Sequence, residues 1–448
     1  MDNAAPAHPP PPAATGMRRV LANLGLLIGG KSVSGLLGLA YLALAVRTLG
    51  IEAFGYLVVI HTVVEIAQNL AKFQSWQPIL HYGTAALQHG RLDDLHRLVV
   101  FTARLDMGSA VIGAAGAAAT LWFLGTTLGL PAEIVPAATL YAGSLLFMIT
   151  STPTGLLRLF DRFNLVVLED NIEALVRLLG GVALYMTGGG LDAFLVLWGV
   201  SAVAGALTSI GLAWREARRR GLRRRPPVER LLTDGFDGIW RFVLSTNANS
   251  SLALLTNQLA TLTVGVLIGP PQAALFRLAR QVAEAAAKPV KLMTTAIYPE
   301  FARFAAQDRL EAMRELLGRA LRLSAMGAGI CALVLYLAGP WILTLIGGPQ
   351  VAAAFPTMLL LGAAALIGVG TFALEPALIS IGRAALALRI RLASAVLYLP
   401  ALMILVPRAG IEGAGIAAIG AAASMAFMQS QSVVSCLRAR AAPHISRD

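Results

Sequence analysis

QAALFRLARQVAEAAAKPVKLMTTAIYPE, residues 272–300, has the apolar background of a membrane span, yet it carries Arg277, Arg280, Glu284, Lys288 and Lys291. Spacings of 3, 4, 4 and 3 residues put all five charges on one narrow face of an α-helix, with Gln281 beside them. Ala, Leu, Val and Met cover much of the remainder. A face like that is not built for lipid, so this helix is expected to line a wet cavity open to something polar and anionic.

Composition agrees with a membrane setting. Of 448 residues, 57% are hydrophobic and 13% charged, where a soluble domain carries about 25% charged residues. Mean hydropathy is +0.70. At about 20 residues per span the chain has room for roughly twelve helices. Candidate spans fall at 20–46, 56–80, 98–124, 134–156, 165–187, 191–214, 240–268, 272–299, 319–346, 351–379, 385–407 and 411–436. The expected class is an all-α, polytopic inner-membrane protein of about twelve transmembrane helices.

Arginine placement sets the orientation. One set of loops holds Arg18, Arg19, Arg91, Arg97, Arg158, Arg162, the run from Arg215 to Arg230, Arg303, Arg309, Arg314, Arg383, Arg438 and Arg440, whereas the other holds little more than Arg47 and Arg408. The positive-inside rule then puts both termini and the central loop in the cytoplasm. An even number of spans fits that arrangement. The net charge of +12 is explained by these loops, and the arginine run has no aromatic platform for nucleic acid.

The segment WREARRRGLRRRPPVER (214–230) is a linker between two halves, and its arginines also suit acidic lipids. The expected layout is a disordered cytoplasmic tail at 1–19, a six-helix lobe at 20–214, a basic linker at 215–239, a second six-helix lobe at 240–437 and a cytoplasmic tail at 438–448. The halves share a weak pattern: Asn23 and Asn247 near the start of each first span, and Gly-containing turns in RTLGIEAFGYL (47–57) and GVLIGPPQAALFRL (265–278). Parallel repeats of this kind let two bundles rock about a central site.

Other ionisable groups inside spans are functional candidates, because each costs at least about 2.5 to 3.5 kcal/mol at the bilayer centre. His61, Glu65, Gln68, Asn69 and Lys72 share a face of the second span, where Glu65 and Lys72 could form a buried pair. Glu169, Asp170, Glu173 and Arg177 in the fifth span read as snorkelling toward the interface. Asn247, Ser251, Gln258 and Thr261 line one face of the seventh span, as substrate surface or as polar glue between helices. Lys31 and Glu375 stand alone. Glu65, Glu284 and Glu375 are deep enough to couple ion or proton movement.

No G-x-x-x-x-G-K-[ST] loop, H-E-x-x-H motif, paired-Cys motif or His cluster is present, so no ATP hydrolysis, metal or cofactor is expected. Cys331 and Cys436 sit in apolar stretches as inert thiols.

Three short motifs carry a family resemblance: Leu49, Gly50, Phe54 and Gly55 in the first turn, GLLRLFDRF (155–163), and AIYPEFARF (296–304). Over about Asn23 to Leu437 the chain resembles the polysaccharide flippases, in the superfamily of multidrug and toxic-compound extrusion transporters and lipid II flippases. The resemblance implies two six-helix lobes around a cationic cavity, with alternating access moving an undecaprenyl-diphosphate-linked oligosaccharide for lipopolysaccharide (O-antigen) or exopolysaccharide synthesis. Arg277, Arg280, Lys288 and Lys291 would meet the diphosphate or acidic sugars. Arginine suits bidentate phosphate contacts. The substrate-cavity set is then Arg277, Arg280, Glu284, Lys288, Lys291, Glu65, Asn69, Lys72, Lys31, Asn247 and Gln258. Partners implied are the lipid-linked oligosaccharide, bilayer lipids and other glycan-assembly proteins.

Two departures narrow this. Lipid II flippases carry two further helices, and drug antiporters often place an acid in the first span, where this chain has only Lys31. A drug or cation antiporter remains the second reading, which an acidic lobe cavity would favour. A glycan polymerase or ligase is the enzyme alternative, disfavoured by short, nearly uncharged outer loops.

Overall fold

The computed structural model describes residues 13–222, 232–291, 301, 303, 304, 307 and 309–441. Among these, the side chains of 13–24, 27, 28, 245–257, 286–291, 310, 384 and 437–441 lie outside the described set. The expectations for Asn23, Asn247, Ser251, Lys288 and Lys291, for the linker residues 223–231 and for most of the 296–304 motif therefore fall outside the described residues.

The described residues contain helices and no strands. They are α1 (Ala13–Ala71), α2 (Trp76–Gln88), α3 (Leu92–Leu124), α4 (Val135–Ala142), α5 (Leu145–Met148), α6 (Ser151–Leu159), α7 (Phe163–Thr187), α8 (Leu191–Arg219), α9 (Ile239–Ile268), α10 (Pro270–Lys291), α11 (Leu310–Ala352), α12 (Phe355–Gly370), α13 (Leu374–Ser380) and α14 (Ala384–Ala441). Seven stretches are long and apolar enough to cross a membrane, and two of them, Gly29–Gln88 and Ala385–Cys436, are long enough to cross twice. They bend back at Gly50 and Gly410, giving nine crossings. Helices α7, α9 and α10, of 25, 30 and 22 residues, bring the count in the described residues to twelve.

Glycine makes the matching turns. Gly50 (φ 74°) divides the first span from the second, and Gly269 (φ 98°) divides α9 from α10 at the corresponding point of the other half. Both lie in the left-handed range that a Cβ disfavours. The two turns also meet. A Cβ on Gly55 would stand 2.4 Å from the Pro270 carbonyl oxygen, so the lobes touch there backbone to backbone. On the same side Arg47 donates to the Leu345 carbonyl, and a Cβ on Gly347 would press on Val46. The seam between the lobes is closed at this end, opposite the end that carries the arginine-rich loops.

Two expectations about spans need correction. The second span was expected at 56–80, but its helix ends at Ala71 and a separate helix, α2, begins at Trp76. The fourth crossing is not one helix but α4, α5 and α6, broken at Ile149. One buried carboxylate organises both breaks. Asp106 on α3 accepts from the Ser75 hydroxyl just before α2, and from the Thr152 backbone N–H (2.8 Å) and hydroxyl (2.7 Å) in the first turn of α6. A carboxylate supplied by another helix thus does the work of an N-cap, satisfying a first-turn N–H and meeting the positive end of the helix.

The apolar core runs through both lobes, from Phe54, Leu57 and Ile60 on α1 to Phe276 on α10 and Leu402 on α14. Large apolar side chains such as Phe123, Leu140 and Met186 point outward. In water such a surface would aggregate; in a bilayer it is the lipid face.

Candidate functional site: two polar cavities joined by an ion pair

The second span and α10 stand at equivalent places in the two halves, and their polar faces meet. Arg277 donates to Glu65, Nη1 to Oε2 at 3.1 Å and Nη2 to Oε1 at 3.5 Å, and Nη1 reaches the Thr62 hydroxyl at 3.4 Å. Both charged side chains are largely withdrawn from solvent. Glu65 also approaches His61 Nε2 at 3.3 Å, while His61 Nδ1 and the Tyr141 hydroxyl lie 2.7 Å apart. A chain of contacts therefore runs from α4 through the second span to α10, linking the lobes at membrane depth. Glu65 does not pair with Lys72; a partner from the other half, invisible to helical spacing, stands closer.

Beyond this link lies an N-lobe cavity of about 320 Å³ between the second span, α5, α7 and α8. Glu65, Gln68 and Lys72 line it from the second span, and Glu169, Asp170, Glu173 and Arg177 from α7. The α7 group was expected to snorkel to the interface; instead it faces this interior space. Arg177 donates to Glu173 (2.6 Å) and to the Ser201 hydroxyl (2.9 Å), and its guanidinium lies 5.2 Å over the Trp198 ring. Trp198 presents an edge to His61 at 4.2 Å, and Gln68 donates to the Met148 carbonyl at 2.9 Å. Four acids face two cations, so the lining is acidic in balance. Asn69 is half-buried and is not among the lining residues. Lys31 lies in a neighbouring cavity of about 390 Å³, together with Arg158 and Asp170.

The C-lobe cavity, about 390 Å³, is bounded by α10, α12 and α14. Arg280 and Glu284 enter from α10, 3.9 Å apart, with Arg391 and Tyr398 opposite on α14. Arg280 also lies 5.8 Å from the Phe276 ring centroid. Two arginines and one acid line this cavity, and Arg391 is also paired with Glu375 just outside the lining. The five-charge face of α10 is thus divided: Arg277 turns to the N-lobe, Arg280 and Glu284 face the C-lobe cavity, and the side chains of Lys288 and Lys291 are outside the described residues.

Glu375, expected as an isolated coupling acid, is paired with Arg391, whose Nη2 lies 2.7 and 2.8 Å from its two carboxylate oxygens. Gln258 is half-buried, and its Oε1 has no hydrogen-bond partner among the described residues. Arg391, Asp106 and Trp198 were not singled out from the sequence. Asp106 and Arg391 had the same signal as the others, a charge inside an apolar span. Among the described residues no group of three or more His, Cys, Asp or Glu side chains is arranged to hold a metal ion.

Comparison with known proteins agrees with this architecture. The inner membrane protein YghQ of Escherichia coli K12 is 32% identical over 333 residues, covering 74% of this chain and 93% of that protein. An inward-facing multidrug resistance MATE family transporter of the MOP superfamily superposes with a TM-score of 0.72 at 16% identity, over 94% of this chain and 96% of the other. The lipid II flippase MurJ, inward closed, gives 0.69 at 10% identity, over 93% and 89%. At such identities the two structures speak to the fold alone. The profile of the family described as polysaccharide biosynthesis protein matches residues 20–305, and the chain, a multi-pass membrane protein with a transporter fold, belongs to that family.

Proposed function

We propose that this protein is a flippase that moves undecaprenyl-diphosphate-linked oligosaccharide repeat units across the bacterial inner membrane by alternating access, with both termini cytoplasmic. The observation that carries the reading is the Arg277–Glu65 pair spanning the lobes beside the C-lobe cavity that Arg280 and Arg391 line. A diphosphate needs fixed positive charge, and guanidinium groups give it bidentate contacts. It also competes with Glu65 for Arg277, so substrate entry would loosen the contact that holds the lobes together. On this reading the protein transports and does not catalyse, and the glycan-assembly enzymes that make and consume the lipid-linked unit are its partners.

Deleting the gene tests the proposal. The expected result is accumulation of lipid-linked repeat units on the cytoplasmic side with loss of surface polysaccharide, whether O-antigen or exopolysaccharide. Normal polymerised or ligated product in the deletion strain would overturn it.

A second reading, a drug or cation antiporter, draws on the acidic N-lobe cavity with Glu169, Asp170 and Glu173. It predicts increased sensitivity to cationic compounds in the deletion strain with surface polysaccharide intact. In a flippase the same acids would serve ion coupling together with Glu65 and Glu284, whereas the pairing of Glu375 with Arg391 makes it the weaker candidate for that role.

A further inference from the structure

Outside both polar cavities, the N-lobe carries a larger groove of about 990 Å³ between α3, α6 and α8. Val100, Met107, Leu146 and Ile210 give it apolar walls. Its arginine-rich end is different in character. His96, Arg97 and Trp214 stand there, on the side where Arg91 and Arg162 lie between helices and Arg218 in the last turn of α8, and Arg104 follows on α3 about 10 Å further in, within reach of that end through its long side chain. Arg97 is buried and already paired with Asp94 at 2.6 Å. Arg104 is exposed and has no ion-pair partner among the described residues. A guanidinium nearly two turns beyond Arg97 toward the hydrocarbon is costly unless an anion meets it.

The dimensions fit one class of molecule. On α8 the groove runs from Ala206 to Ala217, about 16 Å at the helical rise, or about half the thickness of a hydrocarbon core. That is the depth of one leaflet. Trp214, 42% exposed, sits where an amphipathic ring marks the boundary with the headgroups.

We propose that this groove binds one anionic lipid of the leaflet on the arginine-rich side, its headgroup on Arg104 and His96 and one hydrocarbon chain along α8. The far end of the groove shares Phe147, Thr150 and Ala206 with the N-lobe cavity. The chain tip therefore rests against the wall of the polar cavity and props it from the lipid side. This role is independent of what the cavity carries, and anionic bilayer lipid is distinguished from neutral lipid by the headgroup contact alone.

The test uses the purified full chain in detergent, titrated with phosphatidylglycerol or phosphatidylcholine, with retained lipid counted by native mass spectrometry and thermal unfolding followed in parallel. The wild type is expected to retain one phosphatidylglycerol and to prefer it about fivefold, the factor that one arginine near an anionic headgroup supplies. Arg104→Gln should abolish the preference while leaving binding of both lipids. Ile210→Trp, which fills the apolar section, should remove retention of both. Arg319→Ala, on an exposed pair in the other lobe, should change neither. Equal retention of the two lipids by wild type, a preference that survives Arg104→Gln, or retention that survives Ile210→Trp would each overturn the proposal. None of these readouts requires transport, so failure here is separable from failure of the flippase reading.

Discussion

The N-lobe and C-lobe cavities have similar size but differently charged linings. In the N-lobe, Glu65, Glu169, Asp170 and Glu173 outnumber Lys72 and Arg177, whereas in the C-lobe Arg280 and Arg391 outnumber Glu284. The chain that repeats its helix plan has not repeated its electrostatics. A pair of identical basic cavities would hold a diphosphate in either lobe and slow its release. Under the proposed function the two linings would separate the tasks, the arginines of one meeting the anion and the acids of the other a cation, with Glu65–Arg277 between them.

That contrast can be broken most directly at the pair. Removing one partner of a largely buried ion pair costs about 3 to 5 kcal/mol, because the other charge is left uncompensated. Arg277→Ala should therefore abolish export and lower thermal stability by about 3 kcal/mol. The double reversal Glu65→Arg with Arg277→Glu should recover part of the stability. Full export by Arg277→Ala would remove the pair from the mechanism.

Asp106→Ala tests whether the N-lobe has its own anchor. Losing a helix cap and further charge-assisted hydrogen bonds should cost about 2 to 3 kcal/mol in thermal unfolding. Smaller is the effect expected of Gly55→Val, which drives a side chain into the Pro270 backbone at about 1 to 3 kcal/mol. Its signature is increased labelling, from the outer side, of a cysteine placed at Gln68. Unchanged labelling would show that the seam does not gate the N-lobe cavity.

Arg280→Ala sharpens the charge argument. Export should fall about tenfold, equivalent to about 1.4 kcal/mol, with the protein still in the membrane. A matching loss from Lys72→Ala would erase the distinction between the lobes. The smallest effect belongs to Glu375→Gln. Its pair with Arg391 is about a third exposed on each side, so loss of stability below about 1 kcal/mol is expected, with export unchanged.

Much of the plan could be read without coordinates. Hydropathy located the twelve crossings, and glycines at 50 and 269 marked the matching turns, because both signals are local. The helical face of α10 was visible for the same reason. What spacing could not supply was the direction in which each charge turns. Arg277 and Arg280 lie three residues apart, yet one meets the N-lobe and the other the C-lobe cavity. Likewise the α7 acids have the spacing of an interfacial group, and only packing against α8 and the second span encloses them. Asp106 was visible as a charge inside an apolar span, but its capping role was not, because Ser75 and Thr152 are far from it in the chain.

The closed seam has a consequence for water. Arg47 supplies a hydrogen bond to the Leu345 carbonyl close to the break at Gly347. When the lobes part, that carbonyl loses its donor, and at this exposed end of the seam water takes its place. In a protein that works by parting its lobes, separation at this end would go with wetting of the cleft, which disfavours a dry, half-open passage.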